Sequence, residues 1–303
     1  MCLMMLLSLE MAACASPYES SESMRERNIE RASMALESRL EPDSLAAAAL
    51  LRQRDPAKTL ELLARATIIA PERPDLAWLH IQACGRVPGC DSRAEEGRLG
   101  ILDPGNGAAS LPALALADKA DDEAMRRSAL SLLARADHLD LYWTTLIVHM
   151  TQPVIATGYV STQEALTEML GVVSVGATPA FRTVSRSCAG TRLDDPVTLH
   201  ECRAVALAFE RGDTVITQME GAAIAQRLWP EGSAEWVAAN EVRRIQQYRA
   251  VQLAHLARSN LADSRAADGF MQICVHNHRE EDVVIAELVA DGKSPVPPAK
   301  WAP

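Results

Sequence analysis

At 303 residues the chain is long enough for one or two domains with proper cores, so folding by itself requires neither a metal nor a disulfide. A formal charge of -10 runs against a nucleic-acid partner, whose phosphates need clustered Lys and Arg to neutralise them. Apolar residues make up 48% but aromatics only 4%, and Ala and Leu dominate, which suits close-packed helices better than sheets.

Met1 to Leu9 read MCLMMLLSL, an apolar run of signal-peptide size and too short to span a bilayer. Ala12-Ala13-Cys14 follow, then the polar stretch Ala15 to Ser23. Small residues before a Cys, between an apolar run and a polar tether, resemble a bacterial lipoprotein box. The resemblance implies a signal peptide over 1–13 and lipidation of Cys14 as the new N-terminus. It also implies a periplasmic location, as an outer-membrane lipoprotein where the lipid is attached, with membrane contact only through that anchor. Glu10 interrupts the run and no Lys or Arg precedes it. A plain secretory signal, and an N-terminal helix on a cytoplasmic protein, therefore stand as alternatives.

Residues 14–41 are expected to form a tether and a first exposed helix. From Pro42 to Met150 helical runs alternate with short punctuation, and Asp55-Pro56 places an N-cap before a first helical Pro. Helix pairs are expected at about 43–53 with 56–69, 75–84 with 91–102, and 107–118 with 121–136. The terminators Pro71, Pro104 and His138 recur at near-constant spacing, and Trp78, Leu111 and Thr145 stand at the matching point of each following helix. This period, with the segment Leu102-Asp103-Pro104-Gly105-Asn106-Gly107-Ala108, resembles the tetratricopeptide repeat. The resemblance implies an all-α fold, a tetratricopeptide-like α-solenoid of stacked helix pairs over 42–150. Each pair would bury its apolar face only against the next.

Cys84 and Cys90 bracket Gly85-Arg86-Val87-Pro88-Gly89, a turn that brings two Cβ atoms within bridging distance, and a disulfide is expected there. Residues 151–196, rich in Thr, Val, Gly and Ser, read as an irregular connection with one helix at about 162–173, introduced by the capping box Ser161 to Glu164. Any short strand is expected here. Cys188 and Cys202 bracket a second irregular stretch and form the second expected disulfide. Buried free thiols are the alternative for both pairs. Metal binding fits neither, because zinc sites favour shorter, matched spacings.

Helices resume over 197–293. Val197 to Arg211 and Thr214 to Trp229 form a helix-turn-helix unit with Ala206, Ala208 and Ala223 as close-packing positions. A long helix from about Ser233 to Arg258 carries Trp236, Val237, Val242, Ile245, Val251 and Leu256 at near-helical spacing. Two further helices, at about 267–275 and 279–290, precede a Pro-rich tail over 294–303. The halves read as one curved solenoid or as two helical domains joined through 151–196.

No phosphate loop, nucleophile elbow, CxxC pair or zinc-protease motif occurs, so no catalytic residue, metal or cofactor is assigned. His276 and His278 point about 200° apart on a helix, a poor start for joint ligation. His200-Glu201 beside Cys202 suggests acid/base chemistry, but a bridged Cys202 has no thiolate to activate. Cys274 is expected to be a buried small hydrophobe. The leading functional expectation is an exported helical-repeat protein of the bacterial cell envelope, binding a protein or peptide partner on a concave surface. One alternative is a helical enzyme or small-ligand protein with a site near 151–202 and His276; the other is a cytosolic adaptor.

Overall fold

The computed structural model describes residues 21–174, 178–260 and 264–301, among which the chain forms fifteen α-helices, two 3-10 turns and no strand. The expected signal over 1–13 and Cys14 lie outside the described residues. The all-α expectation holds for the described residues.

Prolines set the starts of the early helices. After α1 (Ser21–Glu37), helices α2 (Pro42–Leu51), α3 (Pro56–Ile69) and α4 (Pro74–Cys84) each carry Pro in the first turn. There its missing N–H would have no helical partner, and its fixed φ suits the helix. Asp55 caps α3 by accepting from the Lys58 amide at 3.1 Å. Next come α5 (Arg93–Leu102), a 3-10 turn (Gly107–Ser110) leading into α6 (Leu111–Ala120), and α7 (Glu123–Leu133). Successive helices pack in order from α1 to α5, and α6 packs on α7. Ala46 to Ala49 are fully buried, and side chains this small let α2 sit close to its neighbours.

The loops that end α5 and α7 bond to each other. Asp137 N donates to Gly105 O at 2.9 Å, and Gly107 N donates to His138 O at 2.9 Å. The amide of Asn106 donates to Asp140 O at 2.9 Å and accepts from Asp140 N at 3.0 Å, across 34 residues. The sequence spacing of the terminators thus becomes a direct hydrogen-bonded register.

The stack then turns on itself. Helix α8 (Trp143–Ile155) packs against α2 and α1 rather than only against its sequence neighbour. Helices α9 (Thr162–Val173) and α10 (Thr178–Ser187) follow. The capping box of α9 is present: Ser161 N donates to Glu164 Oε2 at 2.8 Å, and Glu164 N donates to Ser161 Oγ at 3.2 Å. The expectation of an irregular connection over 151–196 is corrected by α10 and by the run of α8 through Pro153 to Ile155. Phe181, Val184 and Cys188 are buried at helical spacing, and α10 docks on α6 and α7. Burial of that stripe outweighs the weak helix preference of Thr and Val.

Helices α11 (Pro196–Glu210) and α12 (Val215–Leu228) pack closely, with Asp195 and Thr214 as their N-caps. Ala206 and Ala208 are buried as expected, but Ala223 is only half-buried; Gly221 is the residue at the close approach. Helix α13 (Ala234–Asn260) corrects the expected apolar stripe: Val237 and Val251 are exposed, and Gln246, Tyr248 and Arg249 are buried instead. The Leu256 side chain lies outside the described residues. Polar partners make this possible. After α14 (Ser264–His276), helix α15 (Glu280–Ala290) brings Glu281 to Arg249 at 2.5 Å, and the tail offers Pro295 O to Arg249 at 3.0 Å. Trp301 closes the tail, its ring edge-on to Tyr248 at 5.4 Å.

One hydrophobic core runs from Ala32 to Val283, so the halves share a core rather than forming separate domains. The two expected cysteine pairs stand at disulfide distance, with S–S separations of 1.99 Å for Cys84–Cys90 and 2.03 Å for Cys188–Cys202. Bridges closing loops this short contribute roughly 2–3 kcal/mol each in the chain-entropy model. Cys274 is buried, and burial pushes its thiol up to about 12, which leaves no thiolate near neutral pH. No helix among the described residues is long and apolar enough to cross a membrane.

Candidate functional site

The first helices of the three expected pairs, α2, α4 and α6, line a cavity of about 800 Å³ together with α8. The end of α9, the first two turns of α12 and the start of α15 complete its wall. Most of the lining is apolar, including Leu50, Trp78, Leu111, Trp143, Leu146 and Met219. Trp78 and Leu111, two of the three residues expected at matching points of successive helices, both line this space.

A buried carboxylate holds this wall together. Asp213, in the α11–α12 connection, is 4% exposed. Its two side-chain oxygens accept from Leu141 N at 2.9 Å and Trp143 N at 3.0 Å. Its own N–H donates to Leu139 O at 3.1 Å, and its carbonyl accepts from Glu280 N at 2.8 Å. One residue therefore fixes the start of α8, the start of α12 and the start of α15, all of which face the cavity. Burial, reinforced by the neighbouring Asp140 carboxylate, raises the Asp213 carboxyl well above the usual aspartate range.

Beside it, Tyr142 adopts a left-handed backbone, φ 60°, held by donation of its N–H to Asp140 Oδ1 at 2.6 Å. Its hydroxyl donates to Asp103 Oδ2 at 2.7 Å, tying the α5 terminator to the α8 start. A second polar tie joins the helices that line the cavity. Asp43 of α2 meets His149 of α8 at 2.9 Å and Arg73, at the α4 N-cap, at 3.0 Å. Burial would raise the Asp43 carboxyl, but these two partners outweigh it and hold it below its usual value.

Five polar side chains give the cavity its chemistry: Gln53, Gln82, Arg86, Glu220 and Glu280. Two other polar groups on the wall are already used, because Ser174 Oγ accepts from the Trp143 indole N–H at 3.2 Å and Thr214 Oγ1 accepts from Thr217 N at 3.2 Å. The side chains of Gln53, Gln82, Arg86 and Glu220 make no hydrogen bond or ion pair among the described residues. Arg86 lies inside the Cys84–Cys90 loop and is exposed at the cavity edge; partial desolvation there draws its guanidinium below the usual arginine range, with no carboxylate opposing it. Glu280 accepts from Val215 N at 2.8 Å through one oxygen, capping α12 from outside, and burial raises its carboxyl.

The residues singled out in sequence scatter. The Cys84–Cys90 loop reaches the cavity through Gly85 and Arg86, whereas Cys188–Cys202 ties the end of α10 to α11. His200, His276 and His278 are exposed, and no hydrogen bond or ion pair joins any of them to Glu201 or to one another. Among the described residues of 151–196, Val172, Val173 and Ser174 are those that reach the cavity. Among the described residues no group of three or more His, Cys, Asp or Glu is placed to hold a metal ion. Sequence reading missed the five polar side chains of the cavity. The one signal available was positional, since Gln53 and Gln82 both stand at the end of the first helix of a pair.

A second hollow, of about 460 Å³, is lined by Gln218, Gln246, Arg249 and Glu281 among others, and these bond chiefly to each other. Gln246 donates to Gln218 at 2.5 Å, and Gln218 donates to Glu281 at 3.2 Å and to Gly212 O at 3.1 Å. This is an internal network that fastens α12, α13 and α15.

Comparison with protein families, with curated proteins and with solved structures finds no match to this chain.

Proposed function

We propose that this chain is a non-catalytic binding protein of the bacterial cell envelope, and that its helix-lined cavity holds an apolar ligand. The observation that carries this reading is the cavity itself. Its volume of about 800 Å³ falls in the range of small-ligand sites, its walls are mostly apolar, and four of its polar side chains, Gln53, Gln82, Arg86 and Glu220, have no hydrogen-bond or ion-pair partner among the described residues. Successive packing of α2 to α5 and the bonded α5 and α7 terminators support a tetratricopeptide-like stack, of which the cavity is the inner face. Location in the envelope rests on the Ala12-Ala13-Cys14 segment and on two cysteine pairs at disulfide distance, which suit an oxidising compartment.

Trp78 and Trp143 both line the cavity, so intrinsic fluorescence reports its filling. Titration with 1-decanol, a neutral apolar probe, is expected to change the tryptophan emission saturably and to raise Tm by mass action. Ala115 lines the same space, and Ala115→Trp is expected to weaken that binding at least about tenfold by occupying it. A linear, non-saturating response in the wild-type protein would remove the binding reading. Location is tested separately by intact mass after expression with the native N-terminus in a bacterial host, without reductant. Loss of residues 1–13, added lipid mass and a deficit of four hydrogens are expected; a full-length, reduced mass would move the protein to the cytoplasm.

A further inference from the structure

We infer that the cavity's occupant is a short peptide with apolar side chains and both termini free, its carboxylate on Arg86 and its ammonium on Glu220 and Glu280. This rests on the binding reading above and names the ligand class for that site.

The charges argue first. Arg86 stands on the wall made by α4 and the Cys84–Cys90 loop, while Glu220 and Glu280 stand on the wall made by α12 and α15. No ion pair joins Arg86 to either acid among the described residues, although elsewhere the chain pairs its charges freely, as in Arg249–Glu281 at 2.5 Å and Arg73–Asp75 at 2.6 Å. A cation and two carboxylates without an ion-pair partner among the described residues, of which Glu280 accepts from Val215 N, stand on different walls of one apolar space and match a ligand carrying one charge of each sign on an apolar body. A single-headed amphiphile would leave one wall unanswered, because Arg86, exposed at the edge, offers a cation while the half-buried Glu220 and Glu280 offer acids on the far side.

The amides argue next. Gln53 and Gln82 have no hydrogen-bond partner among the described residues, and each offers a donor and an acceptor. That pair of functions is what a peptide backbone presents at every residue, and what a hydrocarbon chain lacks. The apolar lining, with Trp78 and Trp143, then takes the side chains. A cavity of this volume suits about three or four residues, the bulk of a drug-sized ligand. The short disulfide-closed loop holds Arg86 at the rim before the ligand arrives, which limits the ordering lost on binding.

The test compares four forms of trileucine by tryptophan fluorescence: free, N-acetylated, C-amidated and doubly blocked, with decanoate, decylamine and 1-decanol alongside. The free peptide is expected to bind roughly tenfold or more tighter than either singly blocked form, as charge-assisted hydrogen bonds warrant. Arg86→Met should abolish the preference for a free carboxylate and leave the preference for a free amine intact. Glu220→Gln with Glu280→Gln should do the reverse, with the glutamine at 280 still able to accept from Val215 N. A purely structural effect would weaken all four peptides alike, which would overturn the assignment of ends. Equal affinity for free and blocked peptides, or decanoate or decylamine binding as tightly as trileucine, would also overturn the inference. In either case saturable 1-decanol binding would leave the cavity reading standing. Failure of every probe, 1-decanol included, would remove both.

Discussion

Asp213→Ala is expected to lower the unfolding free energy by about 3–5 kcal/mol, because it strips the acceptors from two buried backbone N–H groups at once. Those groups, Leu141 N and Trp143 N, lie at 2.9 and 3.0 Å from the carboxyl in buried hydrogen bonds. Asp213→Asn is expected to do nearly as badly, since its amide keeps one acceptor but turns N–H toward the second donor. Urea unfolding checks both, with the midpoint falling at unchanged slope.

The same residue gives the penalty a pH dependence. Burial first, and Asp140 second, raise the folded-state pKa of Asp213 above its unfolded value. The folded protein therefore holds this proton more tightly than the unfolded chain. The stability so contributed is complete below the ordinary aspartate range and is lost as pH rises through the raised folded value. The alanine variant lacks that contribution, so its deficit against wild type should be larger near pH 5 than near pH 8. A deficit that grew with pH would mean that Asp213 is ionised in the folded state.

Gly221→Ala is expected to destabilise the protein by about 3 kcal/mol through overpacking between α11 and α12. A Cβ there would stand 2.6 Å from Glu210 N and 2.8 Å from Ala206 O. Both are backbone atoms, so relief requires the helices to separate along their length, which also loosens the start of α12 at the cavity wall. Gly97→Ala is the matched control. Nothing lies within 4 Å of a Cβ at that helical position, and the change is expected to stabilise by about 0.5–1 kcal/mol through helix propensity. Thermal unfolding of the two variants, read together, separates close approach from a general dislike of substitution. A Gly221→Ala protein as stable as wild type would contradict the closeness of α11 and α12.

Much of the helical layout was legible in the residues. Pro56 after Asp55, Pro196 after Asp195 and the Ser161–Glu164 box mark helix starts through local chemistry, and each cap is in place. Both cysteine pairs were legible for a similar reason, since a turn of six or fourteen residues constrains their separation whatever the rest of the fold does. Where reading failed, a distant partner decided the outcome. Helix α10 forms because Phe181 and Val184 find α6 and α7 to bury against, which local Thr and Val preferences do not reveal. Gln246 and Arg249 are buried on α13 where Glu281, remote in sequence, accepts from the Gln246 amide and from the Arg249 guanidinium. In a chain whose acids mostly start helices, nothing local marks Asp213 as different from Asp122, yet only Asp213 is buried in a three-way junction.

The same division holds for the candidate site. By itself the sequence determined the helical class, the capped helix starts and the short loop that carries Arg86, because caps and short bridges act within a few turns of chain. Only the tertiary structure decided that α8 returns to α2 and that α12 and α15 meet the same space. Only it decided, too, that Gln53, Gln82, Arg86, Glu220 and Glu280 share one cavity. A cavity is a property of how far apart packed surfaces stay, and no residue states that distance to its neighbours along the chain.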